Sequence, residues 1–196
     1  MTAHVQKWRA EHANYRKLLD LLEALIANFV DGDELDYDLM ADIVYYMTQY
    51  PDHYHHPRED EAFGRLLAHD PQARPLIEHL TGEHRSIAES SARLATDLAA
   101  AAAGTMMPRA TLQADVHDYV VFLKDHMDTE EREIFPRLDA SLSDDDWFLV
   151  DSAIHFASDP IFGDTVQERF RSIHRHIAGQ VHCGCEEPAE AACCLD

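Results

Sequence analysis

The chain has 196 residues, 46% of them hydrophobic and 27% charged, which suits one globular domain, or one domain with an appendage, and excludes a fibrous or wholly disordered chain. Sixteen Lys and Arg face 37 Asp and Glu, a formal net charge of −21, and that field repels nucleic acid and anionic membranes, so neither is expected as a partner. No apolar run approaches the roughly 20 residues of a membrane span, and the N-terminal MTAHVQKWRAEH lacks the basic-then-apolar pattern of a signal peptide, so a cytoplasmic location is expected.

Apolar residues recur at steps of three and four along most of the chain, which predicts an all-α protein. The first helix is expected from about Val5 to Phe29, with Leu18, Leu21, Leu22, Leu25 and Ile26 as its buried stripe and the turn DGDELD after it. The second starts near Tyr37, is bent or interrupted around Pro51 and Pro57, and runs on to about His69. HDPQARP marks a break, and a third helix is expected from Leu76 to Ala103. The fourth begins after Pro108 and runs to Phe135, where Pro136 is expected to stop it. Four long amphipathic helices with short connections predict an up-down-up-down four-helix bundle over residues 1–140. Ser143 with Asp146 reads as a capping box opening a fifth helix to about Phe156. A sixth, Thr165 to Ala178, completes a short C-terminal helical extension, residues 141–178. The last stretch, 179–196, holds all four cysteines and reads as a disordered tail.

Fourteen histidines are the anomaly of the composition, and an internal repeat orders them. Glu11-His12 on the first helix matches Glu83-His84 on the third at an offset of 72, and His126-x-x-x-Glu130-Glu131 matches His55-x-x-x-Glu59-Asp60 at an offset of 71. The alignment selects the pair His55 and Glu59 over His56 and Asp60, because His56 corresponds to Met127. Residues four apart lie on one helix face about a turn apart, so a His and a Glu so spaced can grip one ion. A lone pair of this kind is commonly a surface ion pair, and the signal lies in two EH and two HxxxE patterns alternating along four helices. Four imidazoles and two carboxylates then converge inside a bundle, a donor set suited to iron, manganese or zinc, with carboxylates able to bridge two ions.

The segments EHANYRKLL, HYHHPREDEAF, EHRSIAESSARL and HMDTEEREIFP resemble the four ligand-bearing segments of the hemerythrin-like, HHE cation-binding domain. The resemblance covers about residues 4 to 140 and implies a four-helix bundle around a non-haem di-iron centre, two irons per chain. It implies His12, His55, Glu59, His84, His126 and Glu130 as metal ligands, with Glu59 and Glu130 bridging. Oxygen-carrying hemerythrins have five histidines, two of them four apart on the third helix, whereas Leu80 and Ala88 flank His84 here at that spacing. The pattern is thus closer to relatives linked with nitric-oxide stress and oxygen or iron sensing. His56 and His79 are the candidates for a fifth imidazole: Pro57 can reorient His56, while His79, about 140° from His84, is expected on the surface.

Tyr45, Tyr46, Tyr50, Tyr54, Tyr119 and Phe122 read as core packing, with a hydroxyl facing a bound oxygen species as the functional alternative. Glu11, Glu83, Asp60 and Glu131 are candidates to orient ligand histidines, though most of them read as solvent-facing charge. His155, His174 and His176 have no matching acids and read as structural, and the tail cysteines are a weak soft-metal or redox signal. Three functions fit: a small-ligand binder or sensor taking O2 or NO, an enzyme acting on peroxide or nitrogen oxides, and an iron buffer. The first is preferred because no further acid–base or nucleophile array is visible.

Overall fold

The computed structural model describes residues 1–27, 35–105, 108–154 and 157–180. Phe29, the turn after it, His155, Phe156 and the four cysteines lie outside the described residues. Helices α1 (Ala3–Ala27), α2 (Tyr37–Gln49), α3 (His56–His69), α4 (Arg74–Ala102) and α5 (Arg109–Thr129) form the body, followed by α6 (Phe135–Ser141), α7 (Asp144–Ala153) and α8 (Arg171–Gln180). The fold is all-α, a helical bundle. Among the described residues there is no strand, and no helix is long and apolar enough to cross a membrane.

Two apolar clusters show how the helices run. One gathers Leu18 and Leu22 of α1, Ile43 and Met47 of α2, Ile87 and Leu94 of α4, and Val116 and Leu123 of α5. The other gathers Val5 and Trp8, Ala62 and Phe63, Ile77 and Leu80, and Ile134 and Phe135. Along α1 and α4 the chain passes from the second cluster to the first; along α2–α3 and α5–α6 it passes from the first to the second. That alternation is the up-down-up-down order, and it leaves one polar layer between two apolar ones.

The prolines act differently from the sequence expectation at one point. A π-helical turn, Pro51–His55, precedes Pro57, and a second, Glu130–Ile134, precedes Pro136. Proline has no N–H to donate and its ring crowds the carbonyl four residues back. The wider turn relieves that clash and bonds the residue before each proline, His56 N–H to Pro51 O and Phe135 N–H to Glu130 O. The interruption expected at Pro51 and Pro57 is therefore this turn. Pro136, by contrast, does not stop the helix: it sits in the first turn of α6, where no donor is required, and the chain stays helical to Ser141.

Ser143 accepts from Asp146 N–H while the Asp146 carboxylate accepts from Ser143 N–H, so the expected capping box opens α7. Trp147 and Val150 of α7 pack into the second cluster. The last helix starts later than expected, at Arg171 after a 3₁₀ turn at Glu168–Phe170, because Gln167 N–H is tied back to Pro160 O and closes a loop over 160–167. Phe170, Ile173 and Ile177 then close the outer end of the first cluster.

Candidate metal centre

The polar layer holds all six side chains of the expected ligand set. His12, His55, Glu59, His84, His126 and Glu130 are buried, and both carboxylates are 0% exposed. Each imidazole turns Nε2 inward. Glu59 Oε1 lies 3.1 Å from His55 Nε2 and 3.6 Å from His12 Nε2, while Oε2 lies 3.6 Å from His84 Nε2. Glu130 mirrors this: Oε2 is 3.4 Å from His12 Nε2, and Oε1 is 3.2 Å from His84 Nε2 and 3.3 Å from His126 Nε2. Each carboxylate thus presents one oxygen to each half of the layer.

The donors fit a cation better than they fit each other. Glu59 Oε1 and Oε2, Glu130 Oε2 and His126 Nε2 are buried without a hydrogen-bond partner. The 3.1 Å approach of His55 Nε2 to Glu59 Oε1 is an ion-pair distance without the angle of a hydrogen bond. His12 Nε2 and His55 Nε2 meet at 2.9 Å, although each ring directs Nδ1 at a carboxylate. With the Nδ1 protons donated, two lone pairs face one another unless a proton or a cation lies between them. Buried polar atoms without partners cost about 1–3 kcal/mol each, so a layer built this way is built around a ligand. Two sets of three donors each converge within 4.8 Å, His12–His55–Glu59 and Glu59–His84–Glu130, and a third set joins His56 to His84 and His126.

Protons compete for these positions. Burial opposes charge on His55, but the Glu59 charge and the Glu11 carboxylate bonded to its Nδ1 prevail and push its pKa up to about 9. Burial likewise opposes His84 and His126, yet Asp60 and Glu130 push the first up to about 10, and Glu130 and Glu83 push the second up to about 9. Glu130 is held well below the carboxylate range: burial and its charge neighbours oppose each other, and His126, His84 and His12 win. A cation entering the layer displaces protons from the imidazoles.

His56 occupies the same layer. Consecutive helical residues differ by about 100°, which sends His55 into one half and His56 into the other. Its ring stacks on His84 at 4.4 Å between centroids and meets His126 edge-on at 5.9 Å. Its Nδ1 lies 3.2 Å from Asp52 Oδ1. Burial, then the charges of His84, His55 and His126, hold its pKa well below the ordinary histidine value, so the ring is neutral and its lone pair available. His79 is on the surface beside Glu83, as expected, and His53 is exposed with its ring on Thr48 O.

The reading of Glu11, Asp60, Glu83 and Glu131 as mostly solvent-facing charge is overturned. Each accepts from the Nδ1–H of one inward-facing imidazole: Glu11 from His55 at 2.6 Å, Asp60 from His84 at 2.9 Å, Glu83 from His126 at 2.9 Å and Glu131 from His12 at 3.1 Å. Each of these acids, next in sequence to an inward-facing His or Glu, serves a histidine on another helix. These acids fall within the same repeat offsets as the ligands, and that was the signal for them. Three arginines went unnoticed: Arg9 and Arg16 hold Glu131 at 2.7 Å, and Arg58 holds Glu11 at 3.2 Å.

The aromatics behave largely as core. Tyr46 donates to Asp159, Tyr50 to Ala157 O, and Tyr119 pairs with Ser91. Tyr15, which sequence reasoning passed over, is buried with its hydroxyl unpartnered and its ring edge-on to His55 at 5.1 Å. Trp8 and Phe135 wall the layer on the other side, Phe135 stacking on His12 at 5.3 Å.

A family model described as the hemerythrin HHE cation binding domain matches residues 3–138. No curated protein and no solved structure matches the chain.

Proposed function

The chain belongs to the hemerythrin HHE cation-binding family, and from that premise we propose that it holds a pair of iron ions in the buried layer and uses them to bind or sense a small diatomic ligand, O2 or NO. One observation carries the reading: two fully buried carboxylates each divide their oxygens between two histidine pairs, with three of those four oxygens lacking a hydrogen-bond partner. His12 and His55 would hold one ion and His84 and His126 the other, with Glu59 and Glu130 offering one oxygen to each half and His56 a fifth imidazole on the His84 side. The pair supplies open coordination positions for the ligand. The protein's own part is to keep water out with Trp8, Phe135 and the two apolar clusters, and to fix the Nδ1 protons of four rings on carboxylates so that their Nε2 atoms point inward. Manganese or zinc fits the same donors, and the bundle, 1–140, carries the site while 141–178 packs on it as an extension.

The test is metal content of protein purified without added metal, followed by anaerobic titration with NO watched by optical and paramagnetic resonance spectroscopy. About two irons per chain and a saturable spectral change support the reading. Iron that leaves on gel filtration without spectral change points instead to buffering, and turnover of added peroxide to an enzyme. Absence of bundle metal overturns the proposal.

A further inference from the structure

The ligand layer is close to two-fold symmetric in its residue types, but its surroundings are not. On the His12–His55 side, both supporting carboxylates are neutralised by arginine. Glu131 takes Arg9 and Arg16 at 2.7 Å each and also has Arg9 Nη2 on its backbone carbonyl. Glu11 takes Arg58 Nη2 on both oxygens at 3.2 Å, with Lys7 a further 4.0 Å neighbour. On the His84–His126 side, neither supporting carboxylate has a Lys or Arg within ion-pair distance among the described residues. Among the described residues, Asp60 takes His84 and the Thr81 hydroxyl, and Glu83 takes His126 and His79. His56 stands on this side as well, with Asp52 at its Nδ1.

A carboxylate accepting from Nδ1–H makes the imidazole a stronger donor at Nε2. A guanidinium on the same carboxylate draws that charge away and sets a positive group beside the site. Three arginines therefore weaken one half as a cation site, while bare carboxylates strengthen the other. Resting on the paired-metal reading above, we propose that the two halves load unequally: the first divalent ion enters the His84–His126–His56 half, and the His12–His55 half fills second and more weakly. Arg9, Arg16 and Arg58 are the positioning residues that set the difference. Removal of a carboxylate behind a ligand histidine changes affinity about 10–100-fold; compensating its charge with arginine is the smaller perturbation, so the two dissociation constants differ by about tenfold.

The experiment is calorimetric and optical titration of metal-stripped full-length protein with Co(II) under anaerobic conditions, which reads binding independently of any activity. Two resolved steps are expected. His12→Ala removes the weaker step and His84→Ala the tighter one. Arg16→Gln, at a half-buried surface position, tightens the weaker step severalfold and leaves the tighter one unchanged, whereas Arg16→Lys, which keeps the charge, leaves both. Asp60→Asn weakens the tighter step, and thermal melts of the stripped variants report whether each still folds. Two ions bound with equal affinity, loss of the tighter step in His12→Ala, or an unmoved weaker step in a folded Arg16→Gln overturns the inference and leaves the paired site standing. No ion or a single ion bound to the wild type overturns both.

Discussion

Replacing both fully buried carboxylates, E59Q/E130Q, separates a metal site from a merely polar core. Four buried atoms in the layer lack a hydrogen-bond partner: Glu59 Oε1, Glu59 Oε2, Glu130 Oε2 and His126 Nε2. At the lower figure of about 1 kcal/mol for each such atom, a cation that satisfies all four adds about 4 kcal/mol of stability. A chain of this size shifts its melting temperature by about 2–4 °C per kcal/mol, so the loaded wild type should melt about 8–16 °C above the stripped form. Linkage gives the same scale, since ligand at 100 times its dissociation constant adds about 2.7 kcal/mol. In E59Q/E130Q the metal-dependent increment should vanish. The stripped double variant should melt below the stripped wild type, because Glu59 and Glu130 are held ionised by the imidazoles around them and their removal leaves those buried rings without counter-charge. Calorimetry of stripped and ferrous-loaded protein, with zinc in parallel, decides it. A metal-induced shift under about 2 °C in the wild type, or an undiminished shift in the double variant, refutes the argument.

Three further outcomes follow from single side chains. His56→Leu should leave the melting temperature of the stripped protein nearly unchanged, because a neutral ring is exchanged for an apolar side chain of similar reach, yet weaken retention of one ion by about tenfold in equilibrium dialysis. Trp8→Ala should cost about 3–5 kcal/mol in denaturant unfolding, since Trp8 is 2% exposed and packs on Phe135 at 5.8 Å and on Trp147 at 5.5 Å. Ser143→Ala removes the cap of α7 and should cost about 1 kcal/mol, measured as a fall of about 2–4 °C in melting temperature, with metal content unaffected.

The sequence by itself carried the helical class, the order of the bundle and the six inward-facing donors. These depend on short-range regularities: the three- and four-residue apolar step, the HxxxE spacing that places two donors on one face, and a repeat that aligns the two halves of the chain. It also located the capping box at Ser143, whose partners are three residues apart. Pro136 does not end the helix, because its effect is not local to itself; the π turn before it absorbs the clash and lets the helix continue.

What supports each histidine could be decided only in three dimensions. Glu11 reaches His55 across 44 residues of chain, Glu83 reaches His126 across 43, and Glu131 reaches His12 across 119. Whether such an acid faces water or a ring depends on the rotation and stagger of neighbouring helices, which the two apolar clusters set by packing. The placement of His56 beside His84 and of three arginines on one half alone is of the same kind. Helical periodicity says which residues share a face; only the packed bundle says what that face meets, and so which half of a symmetric-looking motif carries the stronger field for a cation.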